Sequence, residues 1–373
     1  MDEAYFDWNA TTPLHPSVAR AMAEAAPVAW ANPSSVHAAG RRARAVLEDA
    51  REAVAVLVGR DPRDVCFTSG GTEANNLALS SATALATSRL EHPSVVRVAE
   101  RLEARGVPVA WIAVAEHGRI EAELAERALA TLPRGATLAV SAVNHETGVI
   151  HPLAELAALA ALRGARLHVD AVQAVGRLAP ELYQFGDSLS VASHKIRGPK
   201  GIGALAFRPG GAPPPLLLGG AQERGLRPGT VDAVAAAGFG QAALLSQSGP
   251  ARYAGLALLR DRLEEALGER VTRNGAVAPR APHVSNFSVP DRRGDEIVAA
   301  LDLDGLRVSS GSACSAGTSE PSPVIEAMAG KARAVGAVRV SLGEETSAEQ
   351  VARLIQSLLR LVTRSMQASS RIA

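Results

Sequence analysis

Residues Ala192–Leu205 read ASHKIRGPKGIGAL, a glycine-rich loop set between two apolar runs. The chain has 39 basic residues, of which only Lys195, Lys200 and Lys331 are lysines, and two of those three stand in this loop. A GC-rich genome replaces lysine with arginine wherever only a positive charge is needed. A retained lysine therefore points to a need for an amine, because arginine stays protonated whereas a desolvated lysine loses its proton and attacks a carbonyl. The run SLSVAS reads as an apolar strand that delivers His194 and Lys195 into a cleft, where partial desolvation favours a neutral Lys195 amine. Lys195 thus reads as a Schiff-base lysine. Lys200, between Pro199 and Gly201 in the turn itself, reads as an exposed loop lysine.

Working outward, the runs DVCFT (64–68), PVAWIAV (108–114), ATLAVSAV (136–143), ARLHVD (165–170) and DSLSVAS (187–193) read as strands. Amphipathic segments such as IEAELAERALATL and LAELAALAALRG lie between them, and the alternation predicts an α/β fold with a mainly parallel sheet covered by helices. SQSGP interrupts the pattern near residue 250, before RYAGLALLRDRLEEAL, which reads as one long helix. This places a large domain at 14–250. A smaller α/β domain takes 1–13 and 251–373, with strands VSNFSV, RVSS and AVRVSL and a last helix SAEQVARLIQSLLRLVTRSM.

Composition narrows the function. With 47% hydrophobic and 21% charged residues and a net charge of +1, the chain lacks the field that draws in nucleic acid or an anionic membrane. The N-terminus, MDEAYFDWNATTPLHP, is acidic and broken by proline, and no apolar run reaches the ~20 residues of a membrane span, so a cytoplasmic protein is expected. Two cysteines, Cys66 and Cys314, exclude a disulfide framework and the four-ligand zinc spacings, and no metal site is expected.

Ligands of an open parallel sheet collect at the carboxyl ends of its strands. VCFTSGGTEANNLALS turns through Ser69, Gly70, Gly71 and Thr72 into a helix whose first amides suit a phosphate, although a plain glycine turn capped by Thr72 would read the same. LHVDAVQAVG ends a strand on Asp170, which either pairs with a protonated ring nitrogen of a cofactor or caps the next helix, with Gln173 one turn on. Phosphate turn, strand-end carboxylate and lysine together are what pyridoxal phosphate needs. A dinucleotide fold is disfavoured, because no G-x-G-x-x-G opens the first β-α unit. Cys314, among small residues in SSGSACSAGTSEPSP, reads as an accessible thiol, and Cys66, within a strand, as an inert one.

The ordered motifs FDWNATTPLHP, NPSSVHAAGRRAR, FTSGGTEANNLAL, EHPSV, NHETGVIHP, HVDAVQAVG, SHKIRGPKGIGAL, GGAQERGLRPGT, SSGSACSAGTSEPSPVIEAM and VRVSLG run almost end to end. In them the chain resembles the cysteine desulfurases of aminotransferase class V, in the subgroup with an SSGSAC loop. The resemblance implies a fold type I pyridoxal 5′-phosphate enzyme, a homodimer that removes sulfur from L-cysteine to give alanine and passes it to an acceptor, such as a protein of iron-sulfur cluster assembly. It implies that Lys195 binds the cofactor aldehyde, that His92 stacks on the ring and shuttles protons, that Asp170 holds the pyridine nitrogen and that Gln173 holds the phenolic oxygen. Gly71, Thr72 and His194 would bind the phosphate, with Thr230 reaching across from the partner subunit. Asn32 and Arg339 would grip the substrate carboxylate, and Cys314 would take the sulfur as a persulfide. Two positions depart from the family. His145 stands where asparagine usually meets the phenolic oxygen, and Ala192 stands where a serine usually binds the phosphate, with Ser193 beside it as the substitute. These departures leave open a related lyase acting on selenocysteine, a cysteine conjugate or a cysteine sulfoxide.

Overall fold

Strands buried on both faces read as continuous apolar or small-residue runs, and the central strands of this chain are of that kind. A computed structural model describes residues 3–311 and 320–369. Its strands, in chain order, are β1 (Ala4–Tyr5), β2 (Val65–Thr68), β3 (Leu85–Ser88), β4 (Val109–Ile112), β5 (Thr137–Ser141) and β6 (Arg166–Asp170). They continue with β7 (Ser188–Ala192), β8 (Gly203–Phe207), β9 (Thr272–Arg273), β10 (Val284–Ser288), β11 (Leu306–Arg307) and β12 (Ala337–Ser341). The seven-stranded sheet has the order β2-β8-β7-β6-β5-β3-β4. All its pairings are parallel except those of β8, which runs antiparallel to both β2 and β7.

The five runs expected as strands are β2, β4, β5, β6 and β7. β3 is the strand that periodicity missed: Leu85-Ala86-Thr87-Ser88 is short and mostly small or polar, yet all four residues are buried. Helices Ala38–Val58, Pro93–Ala104, Ala122–Ala130 and Leu153–Arg163 cover the sheet, and the first ends on Gly59 in the left-handed conformation (φ 65°), a common helix stop.

Phe67, Leu138, Val169, Val191 and Phe239 belong to the core around this sheet. A second core draws on Ala4 and Phe6 and on residues from Tyr253 to Val362, packed on the antiparallel sheet β12-β10-β9. The RVSS run is shared: β11 pairs in parallel with β1, and Ser309 just beyond it exchanges two backbone hydrogen bonds with Arg339 of β12, which ties the run to the small sheet as well. The helix expected over 252–267 is two helices, Gly249–Ala254 and Leu256–Leu267, interrupted at Gly255, where glycine is a poor helix former. Among the described residues no helix is long and apolar enough to cross a membrane.

Two glycines of the opening loop have steric work. A Cβ on Gly203 would lie 2.7 Å from the Cα of Gly70, so only glycine lets β8 run against the turn that follows β2. A Cβ on Gly198 would lie 2.0 Å from Ser193 Oγ.

Candidate active site

β5, β6 and β7 end side by side, and their last residues Ser141, Asp170 and Ala192 line one cavity of about 210 Å³. Gly71, Thr72, His92, His145, Gln173, His194 and Lys195 line it as well. The sheet therefore brings together nine of the residues singled out above, counting Asp170 and Ala192.

The helix Gly71–Leu79 has Gly70 as its N-cap (φ 153°) with no side-chain cap hydrogen bond, so its first N–H groups are left to a ligand at the cavity wall. Thr72 is thus inside the helix and does not cap it. Glu73, in the first turn, is engaged elsewhere: it accepts from Ser69 N (2.7 Å) and pairs with Arg227 (2.9 Å).

Asp170 is held from behind. Its Oδ1 accepts from Val172 N at 3.0 Å and its Oδ2 from Asn75 Nδ2 at 2.8 Å. Asn75 also donates to Ser94 Oγ (2.8 Å), and its Oδ1 meets His168 Nε2 at 3.0 Å. His168 Nδ1 in turn meets Ser188 Oγ at 2.8 Å, and burial lowers this histidine to about 4, so it is neutral near pH 7. Deeper still, burial pushes Glu91 up to about 8, with Asp170 adding to the rise, while Ser141 N donates to its Oε2 (2.7 Å).

His92 is the N-cap of helix Pro93–Ala104. Its Nδ1 accepts from Ser94 N (3.1 Å), so in the neutral ring the proton sits on Nε2. Burial keeps the ring neutral by lowering its pKa, against the opposite pull of Asp170. His145 meets His92 edge-on, with centroids 5.3 Å apart, and burial first, then electrostatic repulsion from its neighbours His92, Arg339 and Lys195 were the ring to take a proton, hold it well below the usual histidine value.

Lys195 ends a single 3-10 turn, Ser193–Lys195, after β7. Its Nζ donates to the carbonyls of Asn9 (2.5 Å) and Ala10 (2.8 Å). Gln173 Nε2 donates to the same Asn9 carbonyl (3.0 Å), which leaves one of its N–H groups for a ligand. His194 Nδ1 meets Thr11 Oγ1 at 3.1 Å, and burial lowers its pKa to about 4.

Other expected residues fall elsewhere. Ser193 is buried but turned from the cavity: its Oγ lies against Gly198 and has no hydrogen-bond partner among the described residues. Strand alternation explains this, since Ala192 already faces the cavity and its neighbour must face the other way. Asn32 and Thr230 are exposed and do not line the cavity of their own chain. Arg339 is buried just behind it, with Nη1 on the His145 carbonyl (3.1 Å) and Nη2 on Asp7 (2.6 Å). Cys314 lies outside the described residues. Cys66 is fully buried in β2 and its thiol is pushed up to about 12 by burial. Sequence reasoning missed Asn9, Asn75, Ser94 and Arg177. Only Asn75 carried a signal, being one helical turn beyond Gly71 on the same face.

A lysine, a strand-end carboxylate, a histidine and an uncapped glycine turn at the carboxyl ends of a parallel sheet are the site of a fold type I pyridoxal-phosphate enzyme. The profile of the aminotransferase class V family matches residues 4–354. A cysteine desulfurase of Bradyrhizobium diazoefficiens is 41% identical over 382 aligned positions, covering 98% of this chain and 96% of its own. A solved NifS-like protein of Rickettsia africae superposes with a TM-score of 0.87 at 27% identity, over 96% of this chain and 99% of that one. A structure described as SspA in complex with cysteine gives a TM-score of 0.78 at 29% identity, over 93% and 100%. The chain belongs to the aminotransferase class V family, and within it is an enzyme of the cysteine desulfurase kind.

Proposed function

We propose that the cavity holds pyridoxal 5′-phosphate and that the enzyme takes sulfur from L-cysteine, giving alanine and a persulfide on Cys314. The observation that carries this reading is the convergence of Lys195, Asp170, His92 and the uncapped Gly71 helix on one cavity. The donor set fits the cofactor: N–H groups without a cap for a phosphate, a braced carboxylate for a ring nitrogen, an amine for an aldehyde. Gly71, Thr72 and His194 would hold the phosphate, Gln173 and His145 would serve the phenolic oxygen, and Asp170 would take the pyridine nitrogen. Ser193 has no part in this set.

When bound, the cofactor supplies an electron-withdrawing ring that stabilises negative charge at the substrate α-carbon. Asp170, fixed by Asn75 and Val172 N, is held as an acceptor that would keep a proton on the cofactor's ring nitrogen. Lys195 Nζ takes the α-proton. His92, with its proton on Nε2, is placed to give that proton to the substrate β-carbon and to take up the one released from the substrate sulfur. Arg339, whose Nε is unpaired among the described residues, is the guanidinium beside the cavity that we assign to the substrate carboxylate. The Cys314 thiolate attacks the substrate sulfur; the S–S bond forms, the substrate C–S bond breaks and its electron pair stays with the β-carbon, which takes the His92 Nε2 proton. The substrate S–H reprotonates His92 and Lys195 returns the α-proton, giving alanine. The enzyme acts as a homodimer, with Thr230 serving the partner's cavity, which its exposure in the single chain supports. An acceptor protein then takes the persulfide sulfur.

The purified protein is expected to absorb as a lysine-linked pyridoxal enzyme, and its spectrum to change on adding cysteine. With cysteine, selenocysteine, a cysteine conjugate and a cysteine sulfoxide supplied in turn, cysteine is expected to yield alanine and a Cys314 persulfide together. Alanine release from cysteine that survives Cys314→Ala overturns the desulfurase mechanism.

A further inference from the structure

An edge strand turns backbone N–H and C=O groups away from its sheet, and β2, which leads into the glycine turn of the cavity, lies at one edge of the large sheet. Among the described residues no further strand covers that edge; side chains do. Phe67 N donates to Glu223 Oε2 (2.7 Å), and the Val65 carbonyl accepts from Arg51 Nη1 (2.9 Å) and Arg224 Nη2 (2.5 Å). Glu223 is joined to Arg51 at two points, Nη1 to Oε2 and Nη2 to Oε1, each 2.7 Å, and both residues are buried. Such a bidentate pair fixes orientation as well as distance.

The same segment grips the far side of the turn. Arg227 pairs with Glu73 Oε1 (2.9 Å), and the other oxygen of Glu73 accepts from Ser69 N (2.7 Å). Glu223 therefore holds the strand that enters the turn, while Arg227, through Glu73, holds its first residue and the helix that leaves it. The backbone between these two anchors is constrained. Glu223 and Arg224 both take left-handed conformations (φ 48° and 58°), which persist in residues other than glycine only where the surroundings dictate them. Apolar packing would stabilise such a site as well as a buried ion pair does, but it could not hold a backbone N–H in a set place.

We propose that Glu223 and Arg227 are positioning residues for the cofactor phosphate: acting through Phe67, Arg51 and Glu73, they set the turn 69–71 so that the first amides of helix Gly71–Leu79 meet the phosphate. The proposal rests on the reading of that turn as the phosphate cradle.

The test compares pyridoxal 5′-phosphate with pyridoxal, which lacks the phosphate, each titrated into the full chain freed of cofactor and followed by lysine-linked absorbance. Glu223→Gln keeps an acceptor for Phe67 N and leaves Arg51 paired with Glu48 (3.0 Å), but breaks the two-point pair. It is expected to weaken pyridoxal phosphate about tenfold and pyridoxal by less than about twofold. Equal weakening of both compounds, or of neither, overturns the proposal, since a general loosening does not single out the phosphate. Arg227→Gln, at a partly exposed site, is expected to show the same selectivity at about threefold. It decides the matter if Glu223→Gln does not fold, and an unmoved pyridoxal phosphate affinity then overturns the proposal. Thr230 lies on the same segment, so the titrations are repeated with Thr230→Ala. The selective loss is expected to persist; its disappearance would mean that the segment acts through Thr230 alone, and the proposal falls. If the unmutated protein takes up neither compound, the functional reading falls instead, and the positioning is judged by amide hydrogen exchange. Exchange about tenfold faster over residues 67–71 in Glu223→Gln, with β5 and β6 within about twofold, supports it, and a uniform change or none overturns it.

Discussion

Asp170 and Lys195 face the same cavity, but the first is braced by a side-chain network as well as one backbone amide, and the second by backbone carbonyls. Behind Asp170 stands Asn75, whose side chain bonds both Ser94 and His168, and His168 in turn bonds Ser188. Behind Lys195 stand the carbonyls of Asn9 and Ala10, 185 residues or more away in sequence, with Arg177 tying that segment down. A side-chain network depends on which residues are present. A carbonyl anchor depends on where the chain runs, and only the side chain that fixes the path, that of Asn9, is specified by type. The two walls should therefore fail in different ways when single residues are changed.

The largest effect is expected at Asn9. Its side chain is buried, accepts from Arg177 and His283 Nε2, and donates to the His145 carbonyl, so Asn9→Ala leaves several buried groups without partners. A loss of about 3 kcal/mol in urea denaturation is expected. Ala10→Ser keeps the carbonyl that Lys195 uses and is expected to change stability by less than ~0.5 kcal/mol. Equal losses for the two variants would show that the N-terminal anchor depends on both side chains, and the contrast between the walls would be gone.

That asymmetry also explains what could be read from the amino-acid sequence. The Asp170 wall was legible because strand ends announce themselves: apolar runs stop at Asp170 and Ala192, and glycines stop the run before helix Gly71–Leu79. The family resemblance added His92 and His145, whose loops carry no periodicity. Asn9 stayed hidden, since nothing in DWNATTP foretells that its carbonyl will accept a lysine amine 186 residues further along the chain. β3 stayed hidden because burial, not β-branched composition, makes LATS a strand. The split at Gly255 is a local effect of one weak helix former within an otherwise continuous pattern.

Acid should sharpen the contrast, because one link of the Asp170 wall titrates. His168 is 1% exposed and its folded value of about 4 lies below the 6.5 of an unfolded histidine. The unfolded chain therefore gains the proton first, and the stability that neutral His168 contributes is present above pH 6.5 and lost as the pH falls toward 4. Between pH 7 and 4.5 the unmutated protein is expected to lose about 2 kcal/mol more than His168→Gln does, read from paired denaturation curves. Parallel losses in both proteins would mean that the acid-sensitive group lies elsewhere, and that Asn75 braces Asp170 without help from a neutral imidazole.

The smallest effect separates two neighbours in the opening loop. The family resemblance suggested that Ser193 substitutes for the phosphate-binding serine replaced by Ala192, whereas the structure packs its hydroxyl against Gly198, away from the cavity and without a partner. A buried hydroxyl without a hydrogen bond costs free energy, so removing it should help slightly if the space closes. Ser193→Ala is expected to raise stability by up to ~1 kcal/mol and to leave pyridoxal phosphate affinity within about twofold. Ala192→Ser, one residue earlier and facing the cavity, is the change expected to tighten cofactor binding, by about the strength of one hydrogen bond to a charged group. If Ser193→Ala instead weakens the cofactor tenfold while Ala192→Ser does nothing, the turn after β7 is wound one residue differently when the phosphate is present. The phosphate would then be held from the Lys195 wall, by the loop, and no longer chiefly by the helix after Gly70.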